Sequence, residues 1–147
     1  MGIYLGKALS GMQPKLTRRR IGVCLALVLT IVCGLALRRF GYAAHLSFQI
    51  VKYGGSTLWG AMVYWLLATV FAGARRMTLT MAALIVAVLV ELFRLWHTPA
   101  LDAFRLTTAG ALLLGRVFSP WNMLAYATGI AMALALDWIL SRRKRLV

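Results

Sequence analysis

The sequence predicts an all-α integral membrane protein with four transmembrane helices and a re-entrant or interfacial helix between spans three and four. Hydrophobic residues make up 62% of the 147 residues and only 14% are charged, a composition too apolar for a soluble domain of this size. The apolar residues form long runs whose edges carry most of the Lys and Arg residues, as expected of helices that end at a membrane surface.

Four apolar runs approach the roughly 20 residues that a helix needs to cross a bilayer. The predicted membrane domain covers 21–141, between a basic N-terminal segment at 1–20 and a basic tail at 142–147. No small-residue cleavage site follows the first run, so we interpret it as a retained helix rather than a removed signal peptide. The predicted spans are about 21–37, 56–74, 79–96 and 121–140.

Two shorter segments are predicted as helices that do not span. Residues 40–53 mix polar and apolar side chains and are typical of a helix lying in the outer interface. Residues 99–115 are too short and too polar to cross a bilayer. Thr98 is the predicted N-cap of this second helix, with Pro99 in its first turn and Asp102 beside the positive end of the helix dipole.

The distribution of basic residues predicts the orientation. Eleven Lys and Arg residues fall in the N-terminal segment, the 75–78 turn and the C-terminal tail, against five in the other two loops. Basic loops favour the cytoplasmic side, so both termini are predicted to be cytoplasmic. Because the net charge of +14 gathers at span edges rather than along one folded face, it indicates membrane topology and not nucleic-acid binding.

Two of the three acidic residues lie beside arginines near the outer end of span three. Glu91 precedes Arg94 by three residues, and Asp102 precedes Arg105 by three. A chain reversal at Thr98 and Pro99 would bring the two pairs over one helix end. One interpretation is a headgroup site, in which arginines bind a phosphate or carboxylate. The other is an internal salt-bridge clasp between the short helix and span three. The candidate headgroup residues are Glu91, Arg94, His97, Asp102 and Arg105.

Small and polar residues recur at helical spacing on spans two and four, and they predict close helix packing. The candidate packing residues are Gly60, Tyr64, Tyr126, Gly129 and Ala133. The remaining acid, Asp137, is predicted near the cytoplasmic face, where Arg142 or Arg143 would be its partner.

No residues point to catalysis, a metal or a cofactor. Cys24 and Cys33 are nine residues apart on opposite faces of one helix. His45 and His97 fall in different loops, without metal-ligand spacing. The sequence therefore favours a non-enzymatic protein whose partners are membrane lipids, other membrane proteins or further copies of itself.

Three stretches carry a family resemblance: "GLALRRFG", "KYGGSTLWGAMVYWLLA" and "ELFRLWHTPALDAFRLTTAGALLLGRVFSPWNMLAYATGIAMALALD". They resemble an uncharacterised bacterial family of small four-span inner-membrane proteins, defined only as a domain of unknown function. That family is in turn distantly similar to VanZ-like proteins of the cell envelope. The resemblance implies a bacterial inner-membrane location and no established activity. The chain departs from the family pattern at Ser56, Arg94 and Asn122, where the resemblance implies an acidic residue, a glutamine and an aspartate.

The leading functional prediction is binding of an anionic lipid or lipid-linked envelope precursor at the outer leaflet, through Arg94 and Arg105. A scaffold that associates with other membrane proteins through Gly60, Gly129 and Ala133 is the alternative. A small transporter is a third possibility, and it would need a polar path on both sides of the membrane.

Overall fold

The computed structural model describes residues 2–114 and 118–142, with side chains from Arg19 onward except at 108, 111, 112 and 142. The described residues are entirely helical apart from turns and connections. In chain order the helices are α1 (Gly2–Phe40), α2 (Phe48–Val70), α3 (Arg76–Phe93), α4 (Pro99–Leu106), α5 (Thr108–Leu113) and α6 (Pro120–Arg142).

Among the described residues, three helices are long and apolar enough to span a membrane. The all-helical prediction is confirmed for the described residues, and three such helices are compatible with a multi-pass membrane protein. These helices are Arg19–Phe40, Arg76–Phe93 and Pro120–Ser141.

Helix α2 is the centre of the bundle, and it contacts α1, α3 and α6. Its buried side chains include Val63, Tyr64, Trp65 and Ala68. Because neighbouring helices cover much of its surface, α2 presents less side chain to lipid and needs fewer apolar residues than a peripheral span. Helix α2 is 23 residues long, long enough to cross a bilayer, but it is not one of the three candidate spans.

The prediction of a separate interfacial helix at 40–53 is wrong. Helix α1 continues to Phe40, and α2 begins at Phe48 after Ser47, whose hydroxyl accepts a hydrogen bond from the Ile50 N–H at 3.4 Å. The pair Gly54 and Gly55 does not break α2. A Cβ at Gly54 would lie 3.0 Å from a methyl group of Leu37, so the missing side chain allows α1 and α2 to approach closely.

The helix predicted at 99–115 is instead two short helices. Its predicted start is confirmed, because the Thr98 hydroxyl accepts a hydrogen bond from the Leu101 N–H. At Thr107 the chain leaves the helical conformation, and the Thr107 hydroxyl caps α5 by accepting the Gly110 N–H at 3.0 Å. A Cβ at Gly110 would collide with the Phe104 carbonyl, so this elbow requires glycine. The predicted helix end at Gly115 lies outside the described residues.

Candidate functional site

Glu91 lies in the last turn of α3 and is fully buried, with 0% of its surface exposed. Arg94 Nη1 donates to its Oε2 at 2.5 Å, and the Tyr126 hydroxyl donates to the same oxygen at 3.1 Å. The other oxygen, Oε1, accepts the Ser119 N–H at 2.7 Å and the Asn122 side-chain amide at 3.4 Å. A buried carboxylate is costly unless charge and hydrogen bonds compensate it, and Glu91 has both.

Arg94 is the counter-charge of Glu91 and also reaches a neighbouring segment. Its Nε donates to the Leu114 carbonyl at the end of α5, at 2.5 Å. Its guanidinium carbon lies 5.9 Å from the centre of the Tyr126 ring, within the range of a cation–π interaction. Arg94 therefore ties α3 to both α5 and α6.

Asp102 and Arg105 form a second cluster, nearer to the end of the bundle. Arg105 Nη1 donates to Asp102 Oδ1 at 3.1 Å and to the Trp96 carbonyl at 2.9 Å, while Nη2 donates to the Phe93 carbonyl at 2.7 Å. His97 Nδ1 lies 3.1 Å from Asp102 Oδ1. The carbonyls at a helix C-terminus lack partners within the helix. Arg105 donates hydrogen bonds to the Phe93 carbonyl at the end of α3 and to the Trp96 carbonyl just after it.

The predicted reversal at Thr98 and Pro99 does bring Asp102 and Arg105 back over the end of α3. A single four-residue network does not form from the contacts of the described residues. Glu91 and Arg94 face inward between the helices, whereas Asp102 and Arg105 lie beyond the last turn of α3. The physical reason is that Arg105 satisfies helix-end carbonyls, and these lie past Glu91 along the helix axis.

Ser56, Arg94 and Asn122, the three positions at which the resemblance implies other residues, are brought together. The Ser56 hydroxyl lies 3.4 Å from Asn122 Oδ1, Asn122 donates to Glu91, and Arg94 pairs with Glu91. These residues come from α2, α6 and α3, so the sequence separates them widely. One polar layer therefore crosses the bundle at the level of Glu91.

A cavity of about 340 Å³ opens beside this layer, between α1, α2 and α5. Its wall is mainly apolar, and its polar lining comes from Thr30, Arg38, Ser56, Arg94 and Tyr126. Neither Asp nor Glu lines it. The apolar wall is formed chiefly by Ile31, Leu35, Leu58, Trp59, Met62 and Leu113. A cavity of this kind accepts a molecule with an anionic end and an apolar body.

Asp137 lies at the opposite end of α6 and is buried. Three side chains donate hydrogen bonds to its Oδ2. They are Arg76 Nε at 2.9 Å, Arg19 Nη2 at 3.1 Å and the Tyr64 hydroxyl at 3.1 Å. The predicted partners were Arg142 or Arg143; the Arg142 side chain and Arg143 lie outside the described residues. Arg19 and Arg76 reach Asp137 because α1 and α3 both begin their apolar spans at this level.

The predicted packing residues lie inside the bundle. A Cβ on Gly60 would collide with the backbone of Tyr126, and one on Gly129 with the backbone of Thr57. Tyr64 and Ala133 are also buried. Helices α2 and α6 therefore approach through glycine on both sides, as small residues allow in membrane bundles.

Arg38, Trp59, Arg19 and Arg76 were missed as site residues by the sequence analysis. The arginines lie at the edges of apolar runs, where basic residues are expected for topology alone. Trp59 belongs to an apolar stretch without a distinguishing pattern. The one available signal was Asp137, because a lone acid between basic segments needs a partner among them.

Comparison with known proteins gives a family and no homologous fold. No solved structure matches the chain significantly. The family model described as "Protein of unknown function (DUF2809)" matches residues 45–130, which is more than half of the chain and includes Glu91, Arg94, Asn122 and Tyr126. The chain therefore belongs to this DUF2809 family.

Proposed function

We propose that this protein binds an anionic amphiphile, a lipid or a lipid-linked envelope precursor, in the cavity between α1, α2 and α5. The observation that carries the proposal is the lining of that cavity. Arg38 and Arg94 both line it, the described lining contains no acid, and most of the remaining wall is apolar. Guanidinium groups bind phosphates and carboxylates through paired hydrogen bonds, and apolar walls suit an acyl or prenyl chain.

The proposed site differs from the headgroup site predicted from the sequence, because it lies in the cavity and excludes Asp102 and Arg105. Arg105 is 3% exposed and bonds two backbone carbonyls and Asp102, which supports the clasp interpretation for Asp102 and Arg105. Arg94 remains in the proposed site because it lines the cavity. Glu91 acts on the ligand indirectly, by positioning Arg94.

The membrane context is part of the same proposal. We place four spans in a bacterial inner membrane: the three candidate spans and α2, which is second in chain order. Both termini then lie in the cytoplasm, and the Glu91 layer lies toward the outer leaflet. The excess of Lys and Arg in the N-terminal segment, the 75–78 turn and the C-terminal tail supports this orientation. An envelope precursor is proposed as the ligand because the sequence stretches quoted above suggest a distant resemblance to VanZ-like proteins.

The scaffold alternative is less favoured. Its association surface was expected at Gly60, Gly129 and Ala133, and these residues are used within the chain between α2 and α6. They are therefore not available to an external partner in this packing.

The test is native mass spectrometry of the full chain extracted with its lipids. Gly34 lines the cavity, and a Cβ there would meet only Leu58 Cβ, at 3.9 Å. Gly34→Leu should therefore fill the cavity without moving a helix. Gly73→Leu is the control, because it introduces the same side chain at an exposed position outside the cavity lining, where a Cβ has no neighbour within 4 Å. Arg38→Gln removes one charge from the cavity lining.

The parent and Gly73→Leu should retain a common anionic amphiphile that Gly34→Leu loses. Arg38→Gln should weaken retention about fivefold, the effect of roughly 1 kcal/mol from one arginine near a membrane surface. Identical retained species in the parent and a folded Gly34→Leu variant would overturn the proposal.

A further inference from the structure

A second group of arginines lies at the opposite end of the bundle, in the layer of Asp137. Arg19 begins the first apolar span, Arg76 begins the second, and Ser141 ends the third. These three residues therefore lie where the apolar spans end, which is the depth of lipid phosphates in a bilayer. The layer lies roughly 22 Å from Glu91, the rise of α3 between Arg76 and Glu91.

Positive charge exceeds negative charge in this layer. Asp137 is the only acid there among the described residues, and it is shared by Arg19 and Arg76. Two guanidinium groups around one carboxylate leave a net charge of about +1 at a partly buried site. The exposed Arg20 and Arg75 flank the layer and add to its positive potential.

The protein does not use every donor of the two arginines. Arg19 Nη1 bonds the Ala72 carbonyl, and Arg76 Nη2 bonds the Ser141 hydroxyl at 2.5 Å. Arg19 Nε is buried and has no hydrogen-bond partner in the described part of the chain. An unsatisfied buried donor of a charged group is costly, so a small shift of Arg19 toward an acceptor would be favourable.

A small cavity of about 60 Å³ lies next to these donors, between α1 and α6. Arg19, Asp137 and Ser141 form its polar side, and Gly22 lies in its wall. One water-sized sphere occupies roughly 10–15 Å³ by this measure, so the space fits about four oxygen-sized atoms. A phosphate group has four oxygens around its phosphorus.

We propose that Arg19 binds a phosphate group in this cavity, whose polar wall also includes Ser141, while Arg76 adds positive charge beside it; this site is separate from the amphiphile site at the Glu91 end. The Arg19 guanidinium donates to the phosphate oxygens, and the Asp137 carboxylate holds both arginines in place. The membrane depth of the cluster makes the headgroup of an anionic phospholipid the first source. Free inorganic phosphate has the same chemistry and is the second source.

The experiment uses the full chain in nanodiscs or detergent, with phosphatidylglycerol as the probe and phosphatidylcholine of the same acyl chains for comparison. Native mass spectrometry counts the retained lipids, and thermal unfolding with added inorganic phosphate reports binding of the free ion. Gly22→Leu fills the small cavity while keeping every charge. Arg19→Gln removes a proposed ligand, and Arg20→Gln removes an equal charge from the exposed neighbouring residue.

The parent and Arg20→Gln should retain one phosphatidylglycerol that Gly22→Leu loses and that Arg19→Gln holds about fivefold more weakly. Stabilisation of the parent, but not of Gly22→Leu, by inorganic phosphate would support the site with the free ion as a source. Equal lipid retention and equal phosphate response in the parent and Gly22→Leu would overturn the proposal. Gly34→Leu, which tests the amphiphile site, should leave this binding unchanged, so either proposal can fail without the other.

Discussion

Arg94 and Glu91, one helical turn apart at the end of α3, hold the two ends of the connection between α5 and α6. Arg94 Nε donates to the Leu114 carbonyl at 2.5 Å, and Glu91 Oε1 accepts the Ser119 N–H at 2.7 Å. The same two side chains pair with each other. Arg94 also lines the amphiphile cavity, so stability and ligand binding should depend together on this one buried ion pair.

Glu91→Gln should destabilise the protein by about 3–5 kcal/mol, because it leaves Arg94 buried without its counter-charge. Thermal unfolding in one detergent would measure the change. Asp102→Asn is the control, since the Asp102 side chain is 44% exposed and its pairs should contribute less than about 1 kcal/mol. Glu91→Gln combined with Arg94→Gln should recover part of the loss; equal losses for Glu91→Gln and Asp102→Asn would contradict this account.

Asp137→Asn should cost less than Glu91→Gln, although both carboxylates are buried. The arginine partners of Asp137 have side chains that are 24% and 32% exposed, against 8% for Arg94. Water can therefore solvate Arg19 and Arg76 when their carboxylate is lost. The same unfolding measurement tests the order, and a larger loss for Asp137→Asn would show that the Asp137 layer is the main electrostatic anchor.

Arg105→Gln should release α4 from the end of α3 while the bundle stays folded. The substitution removes the donors to the Phe93 and Trp96 carbonyls, and each charged hydrogen bond contributes about 1.5–3 kcal/mol. Hydrogen exchange should become faster in residues 94–106 and stay unchanged in α2. The exposed Arg39→Gln serves as a control for the loss of charge. Unchanged exchange in 94–106 would mean that other contacts hold α4.

Gly129→Ala should disturb the contact between α2 and α6, because its new methyl group would collide with the Thr57 carbonyl. Overpacking of this kind costs about 1–3 kcal/mol. Gly34→Ala is the matched control, since its methyl group meets only Leu58 Cβ at 3.9 Å. Equal unfolding temperatures for the two variants would show that the helices separate easily at Gly129.

The sequence was sufficient to predict the helical membrane architecture, the Thr98 cap and the reversal that brings Arg105 over α3. Each depends on local chemistry: apolar run length, a capping hydroxyl and a proline. The interfacial helix at 40–53 was predicted wrongly because its mixed polar and apolar composition does not show that residues 48–53 continue into α2 through Gly54 and Gly55. These glycines allow close packing against α1. This role becomes visible only when the position of α1 is known.

The partners of the buried acids were harder to predict for the same reason. The Glu91 and Arg94 pair is three residues apart and is readable from helical spacing. Tyr126 and Asn122 reach Glu91 from α6, and Arg19 reaches Asp137 over 118 residues of sequence. Such contacts depend on how helices are arranged around α2, and a pattern along one chain does not contain that arrangement.

The central claim, that the cavity beside the Glu91 layer holds an anionic amphiphile, is tested most directly by photo-crosslinking. A photoreactive phenylalanine analogue replaces Leu58, which lines the cavity, or Leu66, which is exposed on the same helix. Mass spectrometry then identifies the attached lipid in membranes. We predict that position 58 captures a distinct anionic amphiphile, whereas position 66 captures bulk lipid. The same bulk composition at both positions would contradict the claim.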